Sequence, residues 1–156
     1  VKRRWIIALA VVVAIFLFGK LIVTPYLVVG ESMTPTLRNM DLCFMLKAWN
    51  YRPRRGDIVV FRTADDPPLY LVKRVIGLPG ETISITHGIV QIDGRSLAEP
   101  YTPPNPDWEM PATTVPVDKV FVIGDNRRVP LDETVHGLVA TRLIKARLLT
   151  HWRWKR

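Results

Sequence analysis

From Trp5 to Phe18 the chain carries no polar residue, and after Gly19 and Lys20 the apolar run resumes through Leu21, Ile22 and Val23. In a helix rising ~1.5 Å per residue, the roughly 19 residues from Trp5 to Val23 reach about 28 Å, close to the thickness of a bilayer's hydrocarbon layer. Such a segment has no polar face to turn to water. Burying it on all sides as a core helix would need more protein around it than 156 residues supply. A cleavable leader would be shorter and would end in small residues of an A-x-A pattern, which Lys20 to Tyr26 lacks. The reading is a retained transmembrane helix, with Lys20 near its end, where its ammonium can snorkel. Lys2, Arg3 and Arg4 precede it, so the positive-inside rule holds the short N-terminal segment in the cytoplasm and exports the rest.

With residues 1–27 set aside as this anchor, including a short link at Thr24 to Leu27, the remaining 28–156 have the size of one domain. Its grammar is that of strands: short runs rich in Val, Ile, Phe, Tyr and Leu alternate with Gly, Pro and Asp. The spacing predicts strands at Leu42 to Lys47, Asp57 to Arg62, Tyr70 to Leu78, Thr82 to Thr86, Ile89 to Ile92, Lys119 to Ile123 and Leu138 to Leu149. His87-Gly88 and Asp93-Gly94 are hairpin signals. Residues 98–116 hold six of the thirteen prolines, which suit no central strand and predict a long surface loop, made sticky by Trp108 and Met110. The fold class expected is therefore mainly β: one N-terminal transmembrane helix followed by a compact antiparallel β domain.

Hydrophobic residues at 48% and charged residues at 23% exclude wholesale disorder, a collagen-like repeat and a polytopic membrane protein. With Cys43 alone, neither an intramolecular disulfide nor a thiolate zinc cluster can form. The net charge of +8 loses four basic residues to the anchor, leaving 18 basic against 14 acidic residues. Arg142, Lys145, Arg147, Arg153, Lys155 and Arg156 crowd the C-terminus with Trp152 and Trp154 among them. In a tethered chain this composition fits lipid headgroups or a solvated tail better than nucleic acid, so no nucleic-acid partner is expected.

A Ser-His-Asp triad needs a histidine base. His87 lies in a turn, His136 precedes Gly137 and His151 lies in the basic tail; no pair has metal-ligand spacing and H-E-x-x-H is absent, so no metal is expected. Cys43, amid Leu42, Phe44, Met45 and Leu46, has the surroundings of an inert buried thiol. Ser32 stands in Gly30-Glu31-Ser32-Met33-Thr34-Pro35-Thr36-Leu37, a turn able to present a side chain and its own N–H together. Lys73 falls inside an apolar strand, sharing a face with Leu71 and Val75 by alternation. Facing inward, its ammonium would be desolvated and its pKa lowered, leaving a neutral amine as general base. Facing outward, Lys73 would be an ordinary solvated side chain at a sheet edge.

In four ordered blocks the chain resembles the type I signal peptidases, membrane-anchored serine proteases with a Ser/Lys dyad. The blocks are Ser32 to Leu37, Arg55-Gly56-Asp57-Ile58-Val59-Val60-Phe61, Lys73-Arg74-Val75-Ile76-Gly77-Leu78-Pro79-Gly80-Glu81 and Gly124-Asp125-Asn126-Arg127. The resemblance implies that Ser32 is the nucleophile, forming an acyl-enzyme, and Lys73 the general base. It puts the oxyanion hole at the Ser32 N–H together with position 30, where many members supply a hydroxyl and this chain has Gly30. It also implies shallow pockets for small residues near Val28, Val29, Met33, Leu71 and Val72, and supporting roles for Arg74, Asp125, Asp132 and Thr134. Pro130 stands where the family usually has a serine bonded to the lysine, leaving Lys73 to packing, water or another side chain such as Thr134.

The function implied is removal of leader peptides from exported precursors after A-x-A-type small residues. The implied setting is the outer face of the plasma (inner) membrane, in contact with the bilayer and without a cofactor. The alternative is a catalytically silent relative that binds extended peptides at the membrane.

Overall fold

The computed structural model describes residues 2–49, 51–134 and 136–154, with the side chains of 2, 14–18, 20 and 21 outside the description. The expectations for Lys155 and Arg156 lie outside the described residues, and those for Lys2 and Lys20 fall on side chains outside the description. One helix, α1 (Lys2–Ile22), opens the chain. Trp5, Ile6, Ile7, Leu9, Val11 and Val12 on it are exposed, which removes the core-helix alternative. Over the described residues no helix is long and apolar enough to cross a membrane; for α1 the described side chains are those of residues 3–13, 19 and 22.

The rest is antiparallel β: β1 (Val23–Leu27), β2 (Leu42–Lys47), β3 (Ile58–Arg62), β4 (Tyr70–Gly77), β5 (Thr82–Thr86), β6 (Ile89–Ile92), β7 (Arg95–Ser96), β8 (Met110–Thr114), β9 (Lys119–Ile123), β10 (Gly137–Ala140) and β11 (Ile144–Trp152). A seven-stranded sheet has the order β1-β2-β11-β3-β4-β9-β10, and a four-stranded sheet the order β7-β6-β5-β8. The hairpin signals hold: His87 and Gly88 join β5 to β6, Asp93 and Gly94 join β6 to β7, and all four have positive φ.

Three expectations change. The link at Thr24 to Leu27 is strand β1, and the Pro-rich segment 98–116 contains strand β8. Both are edge strands, where Pro25 and Pro111 can leave an N–H position unfilled without breaking a ladder. The strand expected over Leu138 to Leu149 is cut by a 3₁₀ turn at Thr141–Leu143. Its halves separate: β10 becomes an edge beside β9, while β11 enters between β2 and β3 and reaches Trp152. His151 is thus in a strand, paired with Cys43, rather than in a tail.

Alternation along β3 explains the core. Ile58 and Val60 pack with Val28, Met33, Leu37, Met45 and Ala146 in one cluster, whereas Val59 and Phe61 pack with Val75, Val120, Val122 and Ile144 in another. A strand apolar on both faces reads as the unbroken run Ile58–Phe61. A third cluster includes Ile76, Ile83, Ile85, Phe121 and Trp108. Trp108 is buried, against the expectation of a sticky loop; its Nε1–H donates to the Val129 carbonyl at 2.9 Å.

One transverse row of the large sheet links the end of the helix to Lys73. Val23, the first residue after α1, pairs with Leu46, Leu46 with Arg147, Arg147 with Val59 and Val59 with Lys73.

Candidate active site

The segment after β1 turns sharply. Val28 N–H donates to the Asp41 carbonyl at 3.0 Å and Met40 N–H to the Val28 carbonyl at 2.8 Å, closing a loop between them. Gly30 has φ +97°, a conformation that disfavours a side chain, and its N–H donates to Asn39 Oδ1 at 3.0 Å. Thr34 N–H bonds the Glu31 carbonyl at 3.0 Å, forming a turn around Ser32. Met33 and Leu37 are fully buried and pin that turn to the core, while Ser32 is exposed. Among the described residues the Ser32 N–H donates to no backbone acceptor.

From the other side, β4 carries Lys73 inward. Leu71 and Val75, its neighbours two residues away, belong with the Val59 cluster, and Val72 packs against the opposite one, as alternation requires. Lys73 is 3% exposed. Burial pushes its pKa down from the ordinary 10.5, with the Asp125 charge opposing. Among the described residues Lys73 is in no ion pair.

The Ser32 backbone and the tip of Lys73 both border Gly124. A Cβ placed on Gly124 would lie 2.3 Å from the Ser32 carbonyl oxygen and 3.2 Å from Lys73 Nζ. Only a residue without a side chain lets the serine turn and the lysine tip occupy the same small space. The next residues fasten the turn: Asn126 N–H donates to the Ser32 carbonyl at 3.1 Å.

Asp125 is 1% exposed and fully engaged. Its carboxylate takes Arg74 Nε–H at 2.8 Å and Arg74 Nη2–H at 2.6 Å, and accepts from the Thr36 hydroxyl at 2.5 Å. Arg74 Nη1–H reaches the Gly56 carbonyl at 2.8 Å, and its guanidinium lies 3.9 Å from the centre of the Tyr101 ring. A two-pronged ion pair absorbs the aspartate's charge, so Asp125 supports the site without supplying Lys73 with a dedicated counter-ion. Arg127, nearly buried, donates Nε–H to the Gly124 carbonyl at 3.0 Å and pairs with Glu99 at 2.6 Å.

The remaining expected residues are spread more widely. Thr134 donates its hydroxyl to the Pro130 carbonyl at 3.0 Å, and Asp132 is exposed beside Pro130 and His136 in an open cleft of about 550 Å³. Neither makes a hydrogen bond to Lys73 among the described residues. Val28 and Met33 are buried in one cluster with Val72 packed against it; Val29 is exposed, and Leu71 lies on the other face. Sequence reasoning missed Gly124 as a spacer, Asn126 as the clamp on Ser32, and Thr36, Glu99 and Tyr101 as the polar frame. Cys43 is buried as expected, and burial pushes its thiol up to about 11, which makes it inert. The tail is not free either: Arg153 forks onto Asp41, with a shortest contact of 2.7 Å, and donates to the Thr36 carbonyl at 3.1 Å.

A family model described as signal peptidase, peptidase S26, matches residues 2–154. A signal peptidase I of Leptolyngbya laminosa is 39% identical over 132 residues, 79% of this chain and 65% of that protein. A signal peptidase I of Bacillus amyloliquefaciens is 38% identical over 151 residues, 88% of this chain and 75% of that one. The crystal structure of a signal peptidase I from Enterococcus faecalis V583 superposes with a TM-score of 0.52 at 27% identity, covering 64% of this chain and 98% of that chain.

Proposed function

The chain belongs to the signal peptidase family, peptidase S26, and from that premise we propose that it is a working type I signal peptidase whose nucleophile is Ser32 and whose base is Lys73. The observation that carries the assignment is the convergence of the Ser32 turn and Lys73 Nζ on the missing side chain of Gly124. Ser32 Oγ attacks the scissile carbonyl carbon as its proton passes to the neutral Lys73 amine. The resulting oxyanion is stabilised by the Ser32 N–H, which among the described residues has no backbone acceptor to give up. Collapse expels the amine of the mature chain, which takes the proton from Lys73 and leaves an acyl group on Ser32. Water, deprotonated by the Lys73 amine, attacks that ester, and the proton passes from Lys73 to Ser32 Oγ as the leader peptide is released as its acid.

Burial supports Lys73 in this role because it disfavours the ammonium form. Packing around β4 takes over the orienting duty that Pro130 cannot perform. Gly30 adds no hydroxyl to the oxyanion hole. The substrates are leader peptides of exported precursors, bound extended with small residues against the floor of Val28, Met33 and Val72. The exposed apolar side chains of α1 and the unbroken apolar sequence behind them support a membrane anchor with the β domain on the outer face.

The test is cleavage of a precursor carrying an A-x-A leader by the full chain in detergent at about pH 8, beside Ser32→Ala and Lys73→Ala. A cut after the second alanine, lost in both variants while their folds persist, is expected. Cleavage by either variant at a rate near the parent's would overturn the dyad, and leader binding without cleavage by the parent would favour a silent binding module.

A further inference from the structure

A second site lies away from the dyad, in an open cleft of about 640 Å³ where the ends of β2, β3 and β11 meet. Its lining includes four cations, Lys47, Arg52, Arg54 and Arg147, with Trp49 among them and one acid, Asp57. None of the four cations is in an ion pair among the described residues. Asp57 is already occupied: its Oδ2 accepts from the Tyr51 hydroxyl and, at 2.9 Å, from the Arg54 backbone N–H. The cleft is therefore built with positive charge in excess. Trp49 is 72% exposed, and Lys47 Nζ lies 5.9 Å from the centre of its ring.

The register says where this cleft stands. Arg147 and Leu46 occupy the same transverse row as Val23, the first residue after α1. The opposite end of those strands, the row Leu27, Leu42 and Trp152, is four residues further along, about 13 Å away. So the cations of the cleft, rather than the C-terminal tryptophans, lie at the level where the helix leaves the sheet. An exposed indole beside unpaired guanidinium groups at that level matches the interfacial layer of a bilayer, where aromatic rings settle and planar guanidinium forks grip phosphate.

We propose that this cleft binds the phosphate headgroup of an anionic phospholipid, with Arg52, Arg54 and Arg147 on the phosphate and Trp49 against the glycerol and upper acyl region. The proposal rests on the membrane anchoring of α1. It gives the β domain a second attachment, which fixes the tilt of the sheet over the membrane. A single helical tether leaves that tilt free.

The experiment uses the full chain in neutral-detergent micelles, titrated with dihexanoyl phosphatidylglycerol, dihexanoyl phosphatidylcholine or glycerol 3-phosphate and followed by tryptophan fluorescence. Phosphatidylglycerol should bind about ten-fold or more tightly than phosphatidylcholine, as the strength of charge-assisted hydrogen bonds implies. Arg147→Gln should lose that preference, and so should Arg52→Gln with Arg54→Gln, a pair of exposed positions that keeps the test informative if the strand variant unfolds. Trp49→Phe should lose the fluorescence change. Equal affinity for the two lipids, or parent-like binding by the charge variants, overturns the site. Glycerol 3-phosphate binding as tightly as phosphatidylglycerol overturns the lipid assignment in favour of a soluble phosphate ester. Flotation with pure phosphatidylcholine vesicles at high salt tests the anchor separately: a chain that floats but shows no headgroup preference keeps its anchor and loses this site.

Discussion

Gly124→Ala adds one methyl group at the place where the Ser32 turn and the tip of Lys73 converge. The new Cβ would lie 2.3 Å from the Ser32 carbonyl oxygen, 3.3 Å from its carbon and 3.2 Å from Lys73 Nζ. The first contact is with backbone and cannot be relieved by rotating a side chain, so the turn must retreat by roughly 1 Å to regain ordinary contact. Met33 and Leu37 hold the turn from below, and Asn126 N–H holds the Ser32 carbonyl. Retreat stretches that hydrogen bond, worth about 1 kcal/mol, on top of about 1–3 kcal/mol for overpacking. A misplacement of that size between reacting groups costs about 100-fold in rate. The expected result is a fall of about that factor in kcat for leader cleavage, with a modest drop in Tm. Gly77→Ala is the control. Its Cβ would meet Phe121 Cβ and Val115 Cγ2, both at 3.0 Å, inside the core and away from the dyad; it should lower Tm comparably while the folded protein keeps its kcat. If Gly124→Ala cleaves within three-fold of the parent, or if the two substitutions lower kcat equally, the reasoning that Gly124 sets the Ser32 and Lys73 approach is wrong.

The charges dictate three further outcomes. Because the folded-state pKa of Lys73 lies below 10.5, the unfolded chain binds more protons between those two values and stability rises with pH across that window; activity rises with pH as the amine is freed. Lys73→Met should therefore raise Tm most at pH values below the folded pKa, with the gain shrinking toward pH 10.5, and an unchanged gain across this range would count against a desolvated lysine. Asp125→Ala leaves the Arg74 guanidinium buried without its partner and should cost about 3–5 kcal/mol in a denaturant titration; a loss below 1 kcal/mol would mean that water replaces the carboxylate. Asp41 is held below its usual 3.8 chiefly by the Arg153 hydrogen bond, so Arg153→Ala should lower Tm at neutral pH, with the gap closing as acid titrates Asp41; a gap that persists in acid would point to lost packing instead.

What the sequence made legible was whatever depends on neighbours along the chain. Short apolar runs set off by Gly, Pro and Asp located β2, β3, β4, β5, β6 and β9, and the glycine pairs located the hairpins. The apolar neighbours of Lys73 left its direction open, and only the folded chain turns it inward. Edge strands escaped because edges tolerate the residues that argue against strands: Pro25 and Pro111 read as loop, yet each needs only one paired side. The break between β10 and β11 escaped because Thr141–Leu143 carries neither glycine nor proline. Least legible were partnerships across the fold. Glu99 and Tyr101 sit among prolines in a segment that looks like surface, and only the closed chain brings them to Arg127 and Arg74. Thr134 and Asp132 illustrate the converse: closeness in sequence to the Gly124 motif did not bring them to the lysine.

The row from Val23 to Lys73 crosses four strand intervals, which sets the foot of the helix about 19 Å to one side of Lys73. Helices that pack against each other stand about 8–10 Å apart. With α1 in a bilayer and a leader's own helix entering below the dyad, the two would be separated by lipid, not by side-chain contact. On the proposed function, selection of the substrate then falls to the β domain, and α1 would work as a tether of fixed lateral offset. Exchanging its sequence for another apolar helix of the same length should leave the choice of cleavage site untouched. Adding residues between Ile22 and Val23 should loosen the offset without altering the chemistry.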